Sequence, residues 1–296
     1  MVKIISGSSQ KRLSEELANI LQLKLIKADI KKFADEELYI KLNDSLYRED
    51  VIIVQSISKP ANDHLMELLL LTDAAKRAGA NKIIALVPYF GYSRQDKRSE
   101  DNTPISMSLI AKLMEVAGVE YFITIDLHSH QSEGFFKSIQ NIDTTSLFAS
   151  QFDRIKDAVV VSPDIGGLIR ARKLSNMLNT NIAVVNKIRR TYNTCEMDRV
   201  IGEIQGKHCI LIDDIVDTGS TLCKAAKLLM QNGALSVKAC VTHPVLSNIS
   251  IEMIEKSCIE EIIITNSIPQ NSLPSKFRIL KITQLLASHI KEALKL

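Results

Sequence analysis

The chain has 296 residues, more than one hydrophobic core ordinarily serves, so two domains are expected. Hydrophobic residues make up 46% and charged residues 24%, with no apolar run long enough to span a bilayer, so no membrane partner is expected. A balance of 37 basic against 34 acidic residues gives +3, too small and too evenly spread to signal nucleic acid.

The opening MVKIISGSSQKRL holds only a short apolar run before Ser6 and Gly7, which is not an export signal. From there, β-branched runs follow one another: Lys3–Ser6, Val51–Ser56, Lys82–Phe90, Tyr121–His128, Ala158–Asp164, Ile182–Lys187, His208–Asp214, Val237–His243 and Glu261–Ser267. They are apolar without strict alternation, as strands of a parallel sheet buried on both faces must be. Helical patterns separate them, for example HLMELLLLTDAAKRAGA (64–80), where Gly79 is a helix stop. The class is therefore α/β, with two doubly wound parallel-sheet domains joined in the polar segment SIQNIDTTS, at 1–141 and 142–296. Cys195, Cys209, Cys223, Cys240 and Cys258 lie far apart with no CxxC pair, so neither a zinc site nor a disulfide framework is expected and the reducing cytoplasm fits.

Open α/β sheets bind ligands at the carboxyl ends of their strands. Polar clusters sit at those ends: GSSQKR, GYSRQDK, DLHSH, SPDIGG and DDIVDTGST. The last is the most informative. After an apolar strand, Asp213 and Asp214 precede Asp217, Thr218, Gly219, Ser220 and Thr221, and a helical pattern follows. Gly219 lets the backbone approach a phosphate, the three hydroxyls donate to it, and a helix N-terminus adds N–H groups and its positive dipole end. Paired carboxylates ahead of such a cradle accept hydrogen bonds from sugar hydroxyls, so a ribose 5-phosphate fits. The blander reading, a turn plus an N-cap, needs only one polar residue. Neither GxxxxGK[ST] nor GxGxxG occurs, which argues against P-loop and dinucleotide sites.

The DDIVDTGST string is similar to the ribose-5-phosphate loop of type I phosphoribosyltransferases and ribose-phosphate pyrophosphokinases, which usually ends DTGGT or DTAGT, with Ser220 here in place of Gly. Five further segments resemble the pyrophosphokinases alone. PYFGYSRQDK (88–97) resembles their ATP-phosphate segment, which implies Arg94, Gln95, Asp96 and Lys97 as ATP-binding residues; a guanidinium fork and an ammonium suit phosphate oxygens. TIDLHSHQSEGFF (124–136) resembles a segment whose histidine binds the magnesium of Mg-ATP. That histidine is His128 here, which spacing alone reads as structural. SPDIGG resembles a segment whose aspartate, Asp164 here, is an oxygen ligand of magnesium.

KKFADEELYIKL (31–42) resembles a hairpin that reaches the adenine bound by a neighbouring subunit, which implies Phe33 stacking on the base and Asp35 or Glu37 accepting from its amine, with Glu36 where the family has Gly. VVNKIRRTYN (184–193) resembles the family's basic loop, which carries Lys187 and Arg189 onto catalytic positions, with Ile188 and absent prolines as departures. The resemblance, extended by THPVLS and TNSIP, covers nearly the whole chain and implies the type I phosphoribosyltransferase-like fold in both domains, ATP and ribose 5-phosphate as substrates, Mg2+ as cofactor and a homohexamer. Phosphoryl-group transfer of this kind rests on positioning and charge neutralisation. The alternatives are a phosphoribosyltransferase, which needs no ATP segment, and a non-catalytic regulatory subunit associated with the pyrophosphokinase, against which the retained Lys187, Arg189, His128 and Asp164 argue. DNTPI (101–105) stands where the family often has SREPI, so the sequence does not define allosteric effectors.

Overall fold

The computed structural model describes residues 1–152, 155–188, 197–247 and 249–294, with positions 187, 188, 197 and 198 given by their backbone alone. The chain divides into two compact units, one of Met1–Ile142, Ser267–Pro269 and Lys281–Leu296, the other of Asp143–Asn266 and Gln270–Leu280. The sequence reading assigns everything after 141 to the second domain. Residues 267–269 and 281–296 cluster with the first unit instead, a chain return that no linear boundary reveals.

In the first unit the elements run β1 (Val2–Ser6), α1 (Lys11–Leu21), β2 (Lys24–Ile26), β3 (Ala28–Lys32), β4 (Leu38–Leu42), β5 (Asp50–Val54), α2 (Ala61–Arg77), β6 (Lys82–Val87), α3 (Ser106–Ala117), β7 (Tyr121–Ile125) and β8 (Ile139–Ile142). Six strands form an all-parallel sheet in the order β2-β1-β5-β6-β7-β8, and β3 and β4 make a separate antiparallel hairpin. Strands β5 and β6 are buried along almost their whole length, as the apolar runs require.

The second unit runs α4 (Thr145–Ala149), β9 (Ala158–Ser162), α5 (Leu168–Leu178), β10 (Asn181–Ile188), β11 (Met197–Ile201), β12 (His208–Val216), α6 (Ser220–Gln231), β13 (Ser236–Pro244), α7 (Ser250–Glu255), β14 (Glu261–Thr265) and β15 (Phe277–Leu280); α8 (Thr283–Leu294) then returns to the first unit. Its seven-stranded sheet has the order β11-β10-β9-β12-β13-β14-β15, parallel except for β11. Alternate residues supply two cores. Val159, Val161, Leu211, Val241 and Ile264 pack on one face with α6, while Val160, Ile210, Ile212, Cys240 and Ile263 pack on the other with α4 and α5. Each such aliphatic side chain, fully buried, contributes roughly 1.5–3 kcal/mol, so a strand with no polar face is what holds a three-layer unit together.

Both sheets are doubly wound, and each has one place where the winding reverses. From β1 the chain goes through α1 to β2 on one side and later to β5 on the other. From β9 it goes through α5 to β10 on one side and then to β12 on the other. The carboxyl ends of β1 and β5, and of β9 and β12, are thus the two topological switch points, the crevices where such sheets take ligands.

Candidate active site

At the switch point of the second unit, β12 carries Asp213 and Asp214 and ends at Val216, and α6 begins at Ser220. Between them Gly219 adopts φ +79, a left-handed conformation that L side chains rarely take. A Cβ on Gly219 would lie 3.0 Å from Ile254 Cγ1 and 3.2 Å from Cδ1, so both backbone and packing call for glycine here. No side chain caps α6 at Gly219. The first-turn N–H groups of a helix have no intrahelical partner, and Thr218, Ser220 and Thr221 place three hydroxyls in the same short stretch as this helix start. One loop contact orders it internally: the Ser220 N–H points to Thr218 Oγ1 at 3.4 Å.

The two carboxylates differ. Asp214 is buried and faces the largely buried Arg170, with Nη1 3.5 Å from Oδ1. Asp213 is half-buried, and its Oδ1 accepts the Asp214 N–H at 3.0 Å. Burial, then the neighbouring Asp214 charge and hydrogen bond, push the Asp213 carboxyl well above its ordinary range, with Arg170 opposing and Asp164 adding to the push. Asp164 follows β9. Its Oδ1 accepts the Gly167 N–H at 3.0 Å, and its carbonyl accepts the Ser162 hydroxyl at 2.6 Å, which fixes the turn that presents it. Thus Asp164, Asp213, Asp214 and the cradle all belong to one switch point. Arg170, in the first turn of α5, is the cation of this group, and sequence reasoning missed it. The signal was available in SPDIGGLIRAR, because two adjacent carboxylates at a buried strand end require a compensating charge nearby.

In the first unit, the segment after β6 carries Arg94, Gln95, Asp96 and Lys97. Arg94 and Lys97 are exposed and Asp96 is half-buried. Gln95 is tied to α3: its side-chain oxygen accepts the Ser106 hydroxyl at 2.5 Å, and its carbonyl accepts the Met107 N–H at 3.2 Å. Exposed His128 follows β7, two residues after Asp126 at φ +38. His130 contacts Glu133 Oε1 at 3.3 Å, which accounts for it as a structural histidine. The hairpin tip between β3 and β4 is closed by the Phe33 N–H to Glu37 O at 2.8 Å and the Glu37 N–H to Asp35 Oδ1 at 3.2 Å. Phe33 is 56% exposed and meets Tyr39 edge-on at 5.8 Å between centroids. Glu36 takes φ +71, so the chain keeps the backbone a glycine would favour without having the glycine.

The switch point of the first unit is filled by the protein itself. Buried Glu67 accepts the Ser8 N–H and hydroxyl at 2.6 Å each, and the Gln55 amide at 3.0 Å. Gln55 Oε1 in turn accepts from the Ser9 N–H at 3.0 Å and hydroxyl at 2.6 Å. The polar cluster after the first strand is therefore a satisfied network. Of the two basic residues expected to be catalytic, Arg189 lies outside the described residues, and Lys187 is a backbone position of β10, one residue before the strand ends at Ile188. The loop expected from Lys187 onward thus starts later than the sequence reading has it.

Among known proteins, a family model described as the N-terminal domain of ribose phosphate pyrophosphokinase matches residues 2–118. One described as a phosphoribosyl synthetase-associated domain matches residues 195–295. The ribose-phosphate pyrophosphokinase of Rhizobium meliloti is 43% identical over 300 residues, covering 98% of this chain and 96% of its own. That of Helicobacter hepaticus is 42% identical over 292 residues, covering 98% and 94%. The crystal structure of phosphoribosylpyrophosphate synthetase from Mycobacterium smegmatis superposes with a TM-score of 0.94 at 32% identity, over 99% of both chains.

Proposed function

The chain belongs to the ribose-phosphate pyrophosphokinase family, and we propose how its own residues carry the family's reaction, the transfer of the β,γ-pyrophosphoryl group of ATP to the C1 hydroxyl of ribose 5-phosphate. The enzyme is a diphosphotransferase that releases AMP and 5-phosphoribosyl 1-pyrophosphate. The observation that carries our residue assignment is the left-handed Gly219 between the Asp213/Asp214 pair and the uncapped start of α6. That loop receives the 5-phosphate through N–H and hydroxyl donors of Thr218 to Thr221, with Asp217 as part of its frame. Asp213 and Asp214, as acceptors, take the ribose hydroxyls. A sugar held at both ends keeps its C1 hydroxyl aimed at the β-phosphorus.

On the nucleotide side, Arg94 and Lys97 offer charge to the phosphates, and Asp96 completes that segment, with Gln95 fixing its backbone through Ser106. Phe33 offers its exposed ring to adenine, and Asp35 or Glu37 an acceptor to the exocyclic amine. Among the described residues no group of three or more His, Cys, Asp or Glu could cage a metal ion. Magnesium is typically held by one or two protein groups plus substrate phosphates, so the oriented carboxylate of Asp164 in the second unit and the exposed imidazole of His128 in the first are each a candidate ligand for an ion that arrives with the nucleotide. Such an ion neutralises developing charge on the phosphate oxygens. Lys187 and Arg189 add positive charge where the bond from the β-phosphorus to the AMP oxygen breaks. Purified enzyme given ATP and ribose 5-phosphate with Mg2+ should release AMP in step with 5-phosphoribosyl 1-pyrophosphate. Release of AMP without ribose 5-phosphate would sink this reading.

A homohexamer is the assembly we propose, because the Phe33–Glu37 tip is presented outward as if to complete a neighbour's adenine site. A fully active monomer in light scattering at assay concentration would refute it. No helix among the described residues is long and apolar enough to cross a membrane. The cytoplasm, which supplies both substrates, is the proposed compartment.

A further inference from the structure

Strands β12 and β13 pair beyond the carboxylates, with Ile215 opposite His243 and Val216 opposite Pro244. This register sets the residues after β13 alongside the start of the phosphate cradle. The Leu246 N–H donates to Val216 O at 3.1 Å, and the Ser247 N–H donates to Asp217 O at 3.2 Å. The Ser247 hydroxyl also donates to Asp217 Oδ1. Leu246 is held at φ +48 to make this approach, and the Ser250 N–H closes the turn on Ser247 O at 3.2 Å. Further along, Ile254 lies directly against Gly219.

Asp217 is chemically out of place in an anion site. An ionised carboxylate only accepts hydrogen bonds, so it has nothing to offer a phosphate oxygen and repels it. The hydroxyl of Ser247 resolves the conflict by engaging that carboxylate from the neighbouring loop. The geometry points to Ser247 as a positioning residue for sugar-phosphate binding: it acts through Asp217, splicing the loop after β13 to the cradle and keeping the Asp217 charge off the phosphate. This inference rests on the cradle being the ribose 5-phosphate site. It makes Asp217 part of the scaffold and Ser247, which touches no substrate, a determinant of affinity.

The test is steady-state kinetics of Ser247→Ala, Ser247→Thr, Asp217→Ala, the double variant and Thr218→Ala. Ser247→Ala should raise the KM for ribose 5-phosphate about tenfold, the size of one hydrogen bond to a charged group, with kcat and the KM for ATP within about twofold. Ser247→Thr, which keeps the hydroxyl, should restore the KM. The double variant should be no worse than the more affected single one, since both remove the same contact. Should Ser247→Ala fail to fold, Ser247→Cys, whose thiol is a much weaker donor to Asp217, must raise the same KM. An unchanged KM in Ser247→Ala, or in Ser247→Cys where that variant stands in for it, while Thr218→Ala raises it overturns the role of Ser247 and leaves the cradle standing. An unchanged KM in Thr218→Ala overturns the cradle itself, and the Ser247 inference with it. Equal loss on both substrates, with a fall in melting temperature, would make Ser247 a fold residue only.

Discussion

Replacing Gly219 by alanine adds one methyl group to the cradle, and the structure defines what that methyl meets. The residue sits at φ +79, where an L side chain costs about 1–2 kcal/mol. The new Cβ would also lie 3.0 Å from Cγ1 and 3.2 Å from Cδ1 of Ile254, a side chain with no exposure and hence little room to withdraw. Overpacking of this kind typically costs about 1–3 kcal/mol. The loop can relieve both only by changing the conformation that aims its N–H groups, so the strain should appear as weakened sugar-phosphate binding more than as unfolding. Taking about 2 kcal/mol as expressed in binding, the KM for ribose 5-phosphate rises about thirtyfold. Initial-rate kinetics in both substrates, beside thermal melting, reads this directly. Adding Ile254→Ala should recover the packing share and leave the backbone share. A Gly219→Ala enzyme with an unchanged KM for ribose 5-phosphate and an unchanged melting temperature would refute the reasoning, since neither strain would then exist.

Asp213→Asn should stabilise the substrate-free enzyme while damaging it. The folded chain holds the Asp213 proton above the ordinary carboxylate range through burial and the Asp214 charge, so the proton's stabilising effect is complete below that range and is lost as pH rises through the raised value. The variant's melting temperature should therefore exceed the parent's at neutral pH, with the gap closing in acid, and its KM for ribose 5-phosphate should rise; a lower melting temperature at neutral pH would contradict the electrostatic reading. Lys187→Ala and Arg189→Ala should each lower kcat about a hundredfold to a thousandfold with both KM values nearly unchanged, as for loss of one preorganised donor to a developing charge. A rise in KM at constant kcat would instead make them ground-state phosphate ligands. Glu36→Gly should stabilise the hairpin by about 0.5–1 kcal/mol, because φ +71 is then free of the Cβ penalty, and amide exchange of Phe33 and Glu37 should slow; faster exchange would show that Glu36 is not strained.

The sequence reveals those elements whose burial leaves a chemical mark. All nine apolar runs are strands, because a central parallel strand is covered on both faces and tolerates few polar residues. The strands it conceals are short, or exposed on one side. Strand β2 has only the residues KLI, hairpin strand β3 reads ADIKK, and β8, IQNI, passes for a polar junction while pairing with β7 at the sheet edge. Site residues follow the same logic. Asp213, Asp214 and the loop to Thr221 stand together in one short string and Asp164 in another, so these residues can be picked out before folding, Asp164 through its resemblance alone. Ser247 reaches Asp217 from the loop after another strand, so no local spacing announces it, whereas Arg170, which faces Asp214, can be inferred only from the charge that paired carboxylates require.

Two units with the same winding sense differ most in what occupies their switch points, and chemistry explains the difference. In the first, Gly7 is pressed against Gln55, whose Oε1 would stand 2.2 Å from a Cβ added there, and Glu67 takes both donors of Ser8. Every donor named in that network already has a carboxylate or amide oxygen, so a phosphate would have to displace a buried acidic group to enter. In the second, the end of β12 leads into the left-handed Gly219 between the hydroxyl-bearing Thr218 and Ser220, and the loop carboxylate of Asp217 is drawn aside by Ser247. An anion needs donors, and of the two switch points the second presents a glycine turn and an uncapped helix start, set beyond its carboxylates Asp213 and Asp214. The first unit has exposed Arg94 and Lys97 in the segment after β6 and exposed His128 after β7. Whether a buried carboxylate plugs the crevice or a serine holds one back thus decides which of the two switch points is open to an anion.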